Sequence, residues 1–371
     1  MLGSICDILP SVAALLGVPE APDSLGLREL VGDDVRRVAL VLVDGLGSYL
    51  LPQLALHAPL LASVLSGTRG QLAELSCTFP STTPTSLVSL ATGVAPGEHG
   101  ILGFTVNIPG TDRVLTHIAW RDEPAPAVWQ PVPTWFQKLR AAGVPSRAVL
   151  PAMFIGSGLT QCAYRGAELW PVAEAQPYAP RLVEALASPG LVYGYTAALD
   201  HAAHISGVGS RHWHVAAAKI DALLRHVLKN LPGDAALVVT ADHGGINVPG
   251  DRRIDLDADL ALRAGIRVVA GEPRVRYLHT QPGAQADVVA AWTQRLAGRA
   301  VVQTREQAVD SGVFGPVTGD HLARIGDVVV TCTGDTAILA GAHEPPQTAE
   351  LVGFHGGLNP AETAIPLVVF R

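Results

Sequence analysis

Hydrophobic positions along the chain fall into two alternating patterns. Val38–Val43, Gly70–Leu75, Arg147–Phe154, Leu191–Tyr195, Ala235–Thr240 and Ile365–Phe370 are short, largely apolar runs bounded by turn residues. A continuous apolar run of that length predicts a strand buried on both faces, as in a parallel sheet. Between these runs the pattern is helical. Helices are expected over Ile8–Leu16, Ser48–Leu65, Thr134–Ala142, which Gly143 closes, and the amphipathic Ser210–Leu231, which ends near Pro232-Gly233. Such alternation predicts an α/β fold. The stretch FTVNIPGTDRVLTHIAW reads as a hairpin turning at Pro109-Gly110. From Ile246 to Gly353 the pattern changes. Short β-like runs (Arg267–Ala270, Val301–Thr304, Asp327–Cys332) surround one good helix, Ala284–Leu296. A core of residues 1–245 and 354–371 is expected, with 246–353 inserted as a smaller α+β cap region.

The ends of the apolar runs carry the chemistry. Asp44 closes the first run in VALVLVDGLG. Asp200 and His204 follow another in YTAALDHAAH. Asp242 and His243 follow a third in LVVTADHGG, and His355 precedes the last in FHGGLNP. Ligands of open α/β sheets collect at the carboxyl ends of strands. Asp200 and His204 are four apart, so a helical turn puts them on one face, where they can chelate one ion. His201 between them points away and reads as a surface histidine. Asp242 and His243 can reach one metal only if the chain turns, and Gly244-Gly245 permits the turn. Taken singly, Asp44 reads as a turn aspartate and His355 as a loop histidine. Together the three Asp and three His suffice for two divalent ions.

The stretch from Cys77 to Ile101 supplies the other half. Ser81-Thr82-Thr83 precede Pro84 and an apolar run, a helix start with Thr83 as N-cap and Pro84 in the first helical position. A helix N-terminus offers unpaired N–H groups and suits a phosphate. A threonine hydroxyl there either caps the helix or attacks a bound phosphoryl group, and capping is the commoner role.

This set, in this order, resembles the alkaline phosphatase superfamily and, within it, the nucleotide pyrophosphatase/phosphodiesterase branch, from about Arg37 to the C-terminus. The resemblance implies a three-layer αβα sandwich with a mostly parallel central sheet. It implies that Asp200, His204 and His355 hold one ion, and that Asp44, Asp242 and His243 hold the other together with the Thr83 oxygen. A phosphothreonine intermediate follows, later cleaved by water. Counting back from Thr92-Gly93 places the family's nucleophile on Thr83. The similar triplet Thr78-Phe79-Pro80 lies too far upstream. The family has Gly where this chain has Ala203. The branch's phosphoryl-binding Asn falls on Phe104, and Asn107 is the expected substitute. The resemblance implies hydrolysis of a phosphodiester or nucleotide pyrophosphate. A phosphomonoesterase, a phosphonate hydrolase and a non-catalytic metal-binding relative stand as alternatives. A sulfatase is disfavoured, because its nucleophile position needs Cys or Ser.

Composition narrows the partners. Asp and His together suit zinc, with manganese as the alternative, better than calcium. The formal charge of −7 argues against a nucleic acid polymer, whose backbone wants a basic face, but not against a small phosphorylated substrate such as a nucleotide. The 371 residues allow one large α/β domain with insertions. Four scattered cysteines without C-x-x-C spacing, and an N-terminal run interrupted by Asp7 and Pro10, lead to the expectation of a cytoplasmic protein with no signal peptide and no membrane span.

Overall fold

The computed structural model describes residues 3–371. Its centre is a seven-stranded sheet in the spatial order Gln71–Ser76, Ala364–Phe370, Ala235–Thr240, Arg37–Val43, Gly190–Thr196, Ser146–Pro151, Glu168–Val172. Pairing is parallel except around Ala364–Phe370, which runs antiparallel to both its neighbours. The two middle strands, Arg37–Val43 and Ala235–Thr240, are buried along almost their whole length, which explains their unbroken apolar runs.

Helices flank the sheet and complete the α/β sandwich. Arg211–Lys229 packs with Tyr178–Ala185, Ala198–Ser206 and Pro59–Leu65. Ile8–Leu15, Thr83–Thr92 and Trp135–Ala141 form a second group. The Arg211–Lys229 helix buries Trp213, Ala216, Ala217, Ile220, Leu224 and Val227, a single stripe at three- and four-residue spacing. Each large member contributes roughly 1.5–3 kcal/mol on leaving water. Ser210 starts this helix by accepting a hydrogen bond from the Trp213 amide.

Residues 266–332 build a second, four-stranded antiparallel sheet in the order Ile266–Glu272, Val275–Thr280, Val328–Cys332, Ala300–Thr304. Helix Gln285–Arg295 packs on it, with Val288 and Trp292 in a core separate from the main one. This sheet docks on the segment after Thr92-Gly93. Tyr277 donates its hydroxyl to the Leu102 carbonyl at 2.6 Å, and Arg324 Nη1 donates to the Gly100 carbonyl at 2.7 Å.

Three local expectations shift. Ser48–Leu65 is not one helix, because Pro59 cannot continue a preceding turn. A 3₁₀ turn at Ser48–Leu50 and helices Leu51–Leu54 and Pro59–Leu65 replace it. The helix after Ser81 is Thr83–Thr92, so Thr82 holds the extended N-cap position and Thr83 is its first residue. The strands Glu168–Val172 and Val275–Thr280 lacked a continuous apolar run in the sequence and were not anticipated.

Candidate metal centre

Asp44 is delivered by the end of Arg37–Val43, and Asp242 and His243 by the end of the neighbouring Ala235–Thr240. Asp200 and His204 lie on the helix Ala198–Ser206, which follows Gly190–Thr196 on the other side of Arg37–Val43. The chain must pass very close here. Gly45 has φ +75, and a Cβ on it would sit 2.9 Å from Asp200 Cβ. His355 follows the short strand Gly353–Phe354.

All six residues converge on one cluster. His204 Nε2 is 3.0 Å from Asp200 Oδ2 and 3.2 Å from His355 Nε2, and His355 Nε2 is 3.9 Å from Asp200 Oδ1. His243 Nε2 is 3.4 Å from Asp44 Oδ1 and 3.6 Å from Asp242 Oδ2. Ligand atoms of Asp44, Asp242 and His243 lie within 4.8 Å of one another, and so do those of Asp200, His243 and His355. His243 therefore stands between the two groups, and its ring stacks on His355 with centroids 3.7 Å apart. Thr83 Oγ1 reaches the same point, 3.1 Å from His243 Nε2. Thr82 is fully buried. Thr78 is committed to the Pro80 carbonyl at 3.1 Å and to Ser86 Oγ at 2.9 Å.

The hydrogen bonds around the cluster fit a cation. Each histidine is held through Nδ1 to a main-chain carbonyl: His204 to Gly353 at 2.8 Å, His243 to Gly244 at 2.8 Å, His355 to Ser81 at 2.9 Å. Nδ1–H donates, so Nε2 is the free face in all three, which is how metal-binding histidines are oriented. Each buried carboxylate likewise has one oxygen occupied and one free. Tyr195 donates its hydroxyl to Asp44 Oδ2, and Asp44 Oδ1 accepts nothing. Asp242 Oδ1 accepts from the Gly45 and His243 amides at 3.2 and 3.1 Å, and its Oδ2 accepts nothing. Two orphaned carboxylate oxygens in a buried site are costly unless an ion pairs with them.

In the bare cluster Asp44 and Asp242 are burdened by burial and by neighbouring carboxylates, a cost that a bound cation would relieve, while His204 and Asp200 form a charged pair of their own. Burial, then the Asp242 and Asp200 carboxylates, push Asp44 well above the usual carboxylate range. Burial raises Asp242 too, against the opposing pull of His243. Burial alone would raise Asp200, but His204 outweighs it and holds that carboxyl well below the usual range. Burial would lower His204, but Asp200 overrides it and lifts the imidazole to about 9. Burial and the adjacent His243 hold His355 well below an ordinary histidine.

Asn107 does not join this cluster. Its Nδ2 donates to the Thr111 and Arg113 carbonyls at 2.9 and 3.1 Å, so its amide closes the hairpin turn and is not offered to a phosphoryl oxygen. His201 is exposed, as a helix position facing away from its neighbours Asp200 and His204 should be.

Several supporting residues carried no recognisable sequence signal. Ser81 clamps the His355 turn: its Oγ donates to the Gly357 carbonyl at 2.8 Å and accepts from the Gly356 amide at 3.1 Å. Glu362, with no exposed side-chain surface, ties three segments together. Its carboxylate accepts from Arg274 Nε and Nη2 at 3.0 and 2.6 Å and from the Gly357 amide at 2.9 Å. Its carbonyl accepts from the Gly244 amide at 2.8 Å. His99 is structural, with Nε2 2.8 Å from Ser89 Oγ and Nδ1 accepting from the Ile101 amide at 3.1 Å. Only Tyr195 hinted at itself, as the penultimate residue of a strand running beside the one that Asp44 follows.

A mostly parallel sheet with Asp and His gathered at strand ends is the arrangement of the alkaline phosphatase superfamily, and solved structures bear out the fold. Murine ectonucleotide pyrophosphatase/phosphodiesterase 5, as an inactive variant in complex with AMP, superposes with a TM-score of 0.72 at 18% identity, covering 90% of this chain and 87% of that one. The human protein of the same name gives 0.69 at 19% identity, over 90% and 87%. Phosphonoacetate hydrolase from Sinorhizobium meliloti 1021, in complex with phosphonoformate, gives 0.66 at 21% identity, over 91% and 90%. No curated protein sequence matches. The chain belongs to the type I phosphodiesterase / nucleotide pyrophosphatase family, whose profile matches residues 38–358. That membership carries hydrolysis of phosphoric esters as the class of chemistry.

Proposed function

We propose that this protein is a two-metal phosphodiesterase acting on small phosphodiesters or nucleotide pyrophosphates through Thr83. The observation that carries the reading is the common orientation of the three histidines. Each is pinned by Nδ1 to a carbonyl, and their Nε2 atoms face carboxylates of which two, Asp44 and Asp242, keep an unpartnered buried oxygen. Asp200, His204 and His355 would hold one ion, and Asp44, Asp242 and His243 the other, with zinc fitting the mixed N/O donor set. Bound ions there supply positive charge that favours the Thr83 alkoxide and offsets charge on the phosphoryl oxygens.

The protein's own part is to aim the groups. Thr83 is the first residue of a ten-residue helix, and a helix N-terminus favours an anion. The Thr83 oxygen attacks phosphorus, the substrate's alcohol (or, from a pyrophosphate, its phosphate) leaves and the proton lost by the threonine hydroxyl balances its charge, and water then cleaves the phosphothreonine ester and restores the hydroxyl. Two spaces adjoin the site. A small one of about 70 Å³ is lined by Thr83, Phe154, Tyr164 and Tyr195. A larger one of about 400 Å³ is lined by His204 and His355. Two organic groups flanking one phosphorus favour a diester over a monoester. Residues 246–353 act as the cap, since Glu272 and Arg276 come from them into the larger space. The four cysteines are unpaired, which supports a reducing, cytoplasmic setting. Among the described residues no helix is long and apolar enough to cross a membrane.

The test is metal analysis together with turnover of bis-p-nitrophenyl phosphate and p-nitrophenyl phosphate. Two ions per chain and preferential diester hydrolysis, lost on chelation and restored by zinc or manganese, are expected. A fully active preparation without transition metal would sink the reading.

A further inference from the structure

The nucleophile and the candidate ligand His355 come from segments far apart in sequence, and one buried residue outside the ligand set ties them together. Ser81 has no exposed surface. Its main-chain carbonyl accepts from His355 Nδ1 at 2.9 Å, and its amide donates to the Gly356 carbonyl at 3.1 Å. Its hydroxyl donates to the Gly357 carbonyl at 2.8 Å and accepts from the Gly356 amide at 3.1 Å. Each of its polar groups is thus spent on the consecutive residues His355, Gly356 and Gly357. The turn they form has no room to give. Gly356 has φ +124, and a Cβ there would come within 2.9 Å of Glu272 Cδ and 3.2 Å of Arg274 Cβ, both from residues 246–353. On the other side of Ser81 the chain runs straight into the helix that Thr83 opens. Thr82 between them is buried, its amide donates to the Pro80 carbonyl at 3.0 Å, and its carbonyl accepts from the Ser86 amide at 3.0 Å. A shift of the His355 turn therefore passes to Thr83 with little slack.

The two groups of ligands differ in what they lean on. His355 leans on Ser81, and His204 on the Gly353 carbonyl two residues before His355. His243 leans on the carbonyl of its own neighbour, Gly244. Partners behind a ligand set its orientation and the affinity of the ion. We propose that Ser81 is a positioning residue that couples the nucleophile Thr83 to one ion alone, the one assigned to Asp200, His204 and His355. This rests on the two-metal reading and adds a link between the filling of that site and the aim of Thr83. The link runs both ways: an ion that draws His355 into place draws Ser81 and the start of the helix with it.

Zinc titration of the metal-free protein against a competing chelator tests this without turnover. Ser81→Ala keeps the main-chain carbonyl and amide and loses both hydroxyl bonds. It should bind one ion about 10-fold or more weaker than wild type and the other unchanged. Histidine ¹⁵N NMR identifies the weakened ion: His204 and His355 Nε2 should shift late in the titration, and His243 Nε2 early. Equal weakening of both ions would mean a merely structural role and would overturn the proposal, as would no weakening, or weakening at His243 alone. A second measurement leaves Ser81 intact, so it holds if Ser81→Ala fails to fold. Thr83→Ala removes the hydroxyl that stands beside His243 Nε2. In that protein zinc should still slow amide hydrogen exchange at residues 81–83 along with residues 355–357. Protection at 355–357 with none at 81–83 would overturn the proposal. The Ser81→Ala split without diester turnover in wild type would uphold the proposal and count against the hydrolase reading alone. A wild type that binds fewer than two ions would overturn both.

Discussion

Breaking the Arg274–Glu362 pair should unfold the metal centre's support more than any surface change. Both side chains are fully buried, and the pair is bidentate, at 3.0 and 2.6 Å. Arg274→Met leaves the Glu362 carboxylate in the interior with only the Gly357 amide at 2.9 Å as partner. Removing one member of a buried pair typically costs about 3–5 kcal/mol, because the other charge stays uncompensated. Glu362→Leu should cost at least as much, since the Gly357 amide loses its acceptor as well, a penalty of about 1–3 kcal/mol. In the double variant no charge remains buried, so only the penalties for the unpaired Gly357 amide and Thr336 carbonyl should persist. Its cost should fall below that of either single change. The coupling energy should therefore be several kcal/mol, far beyond the roughly 0.5 kcal/mol scatter of independent sites. Denaturant unfolding followed by tryptophan fluorescence on the four proteins measures it. Strictly additive costs, or a single-variant cost under about 1 kcal/mol, would refute the reasoning.

Thr83→Ala should keep its metal and its fold while diester turnover falls by orders of magnitude, and a dead Thr82→Ala beside a near-normal Thr83→Ala would reverse the assignment. Tyr195→Phe removes the donor on Asp44 Oδ2 and should weaken zinc binding about 10- to 100-fold in chelator competition; unchanged affinity would show that Asp44 is oriented without it. His117 and His279 are held down to about 4 by burial, so they stay neutral in the fold while the unfolded chain takes up protons below about 6.5. Stability should therefore drop as pH falls from 6.5 toward 4, by on the order of 2 kcal/mol per histidine at pH 5, and His117→Gln should flatten that slope in unfolding midpoints. Glu272 has the opposite sign: its folded value is raised to about 8, so its contribution is full below about 4.5 and is lost as pH rises to 8. Glu272→Gln should accordingly gain on wild type between pH 5 and pH 8, and a constant gap between the two would contradict it.

What the sequence showed was what repeats locally. The buried strands Arg37–Val43, Gly190–Thr196 and Ala235–Thr240 are largely continuous apolar runs, and the polar residue that closes each run, Asp44, Thr196 or Thr240, marks the sheet edge. The i, i+4 spacing of Asp200 and His204 is itself a distance on a helix. Long-range geometry left no such mark. Nothing near Asn107 reveals that its amide is consumed by a turn four residues away, because Asn at a turn and Asn at a ligand look alike in one sequence. The placement of Thr83 as N-cap slipped by one residue because both Thr82 and Thr83 satisfy the preference, and only backbone angles separate them. Val275–Thr280 was missed because it buries Arg276 and His279, polar residues that hide the period-two signal.

The position of the insert in the chain follows from the same contacts. His243 and His355 stack 3.7 Å apart, yet more than a hundred residues separate them in sequence, so whatever lies between must leave the site and return to it. A plain loop could make that excursion. This one builds a sheet whose first hairpin ends at Glu272 and resumes at Val275, and the turn between them sets Arg274 on Glu362 and Glu272 against Gly356. The hairpin that would contact the substrate is thus braced by Glu362, whose carboxylate also holds the Gly357 amide and whose main-chain carbonyl holds the Gly244 amide. Substrate contact and metal-ligand support are joined at Glu362, so a change in the insert should be felt at His243 and His355 without touching either.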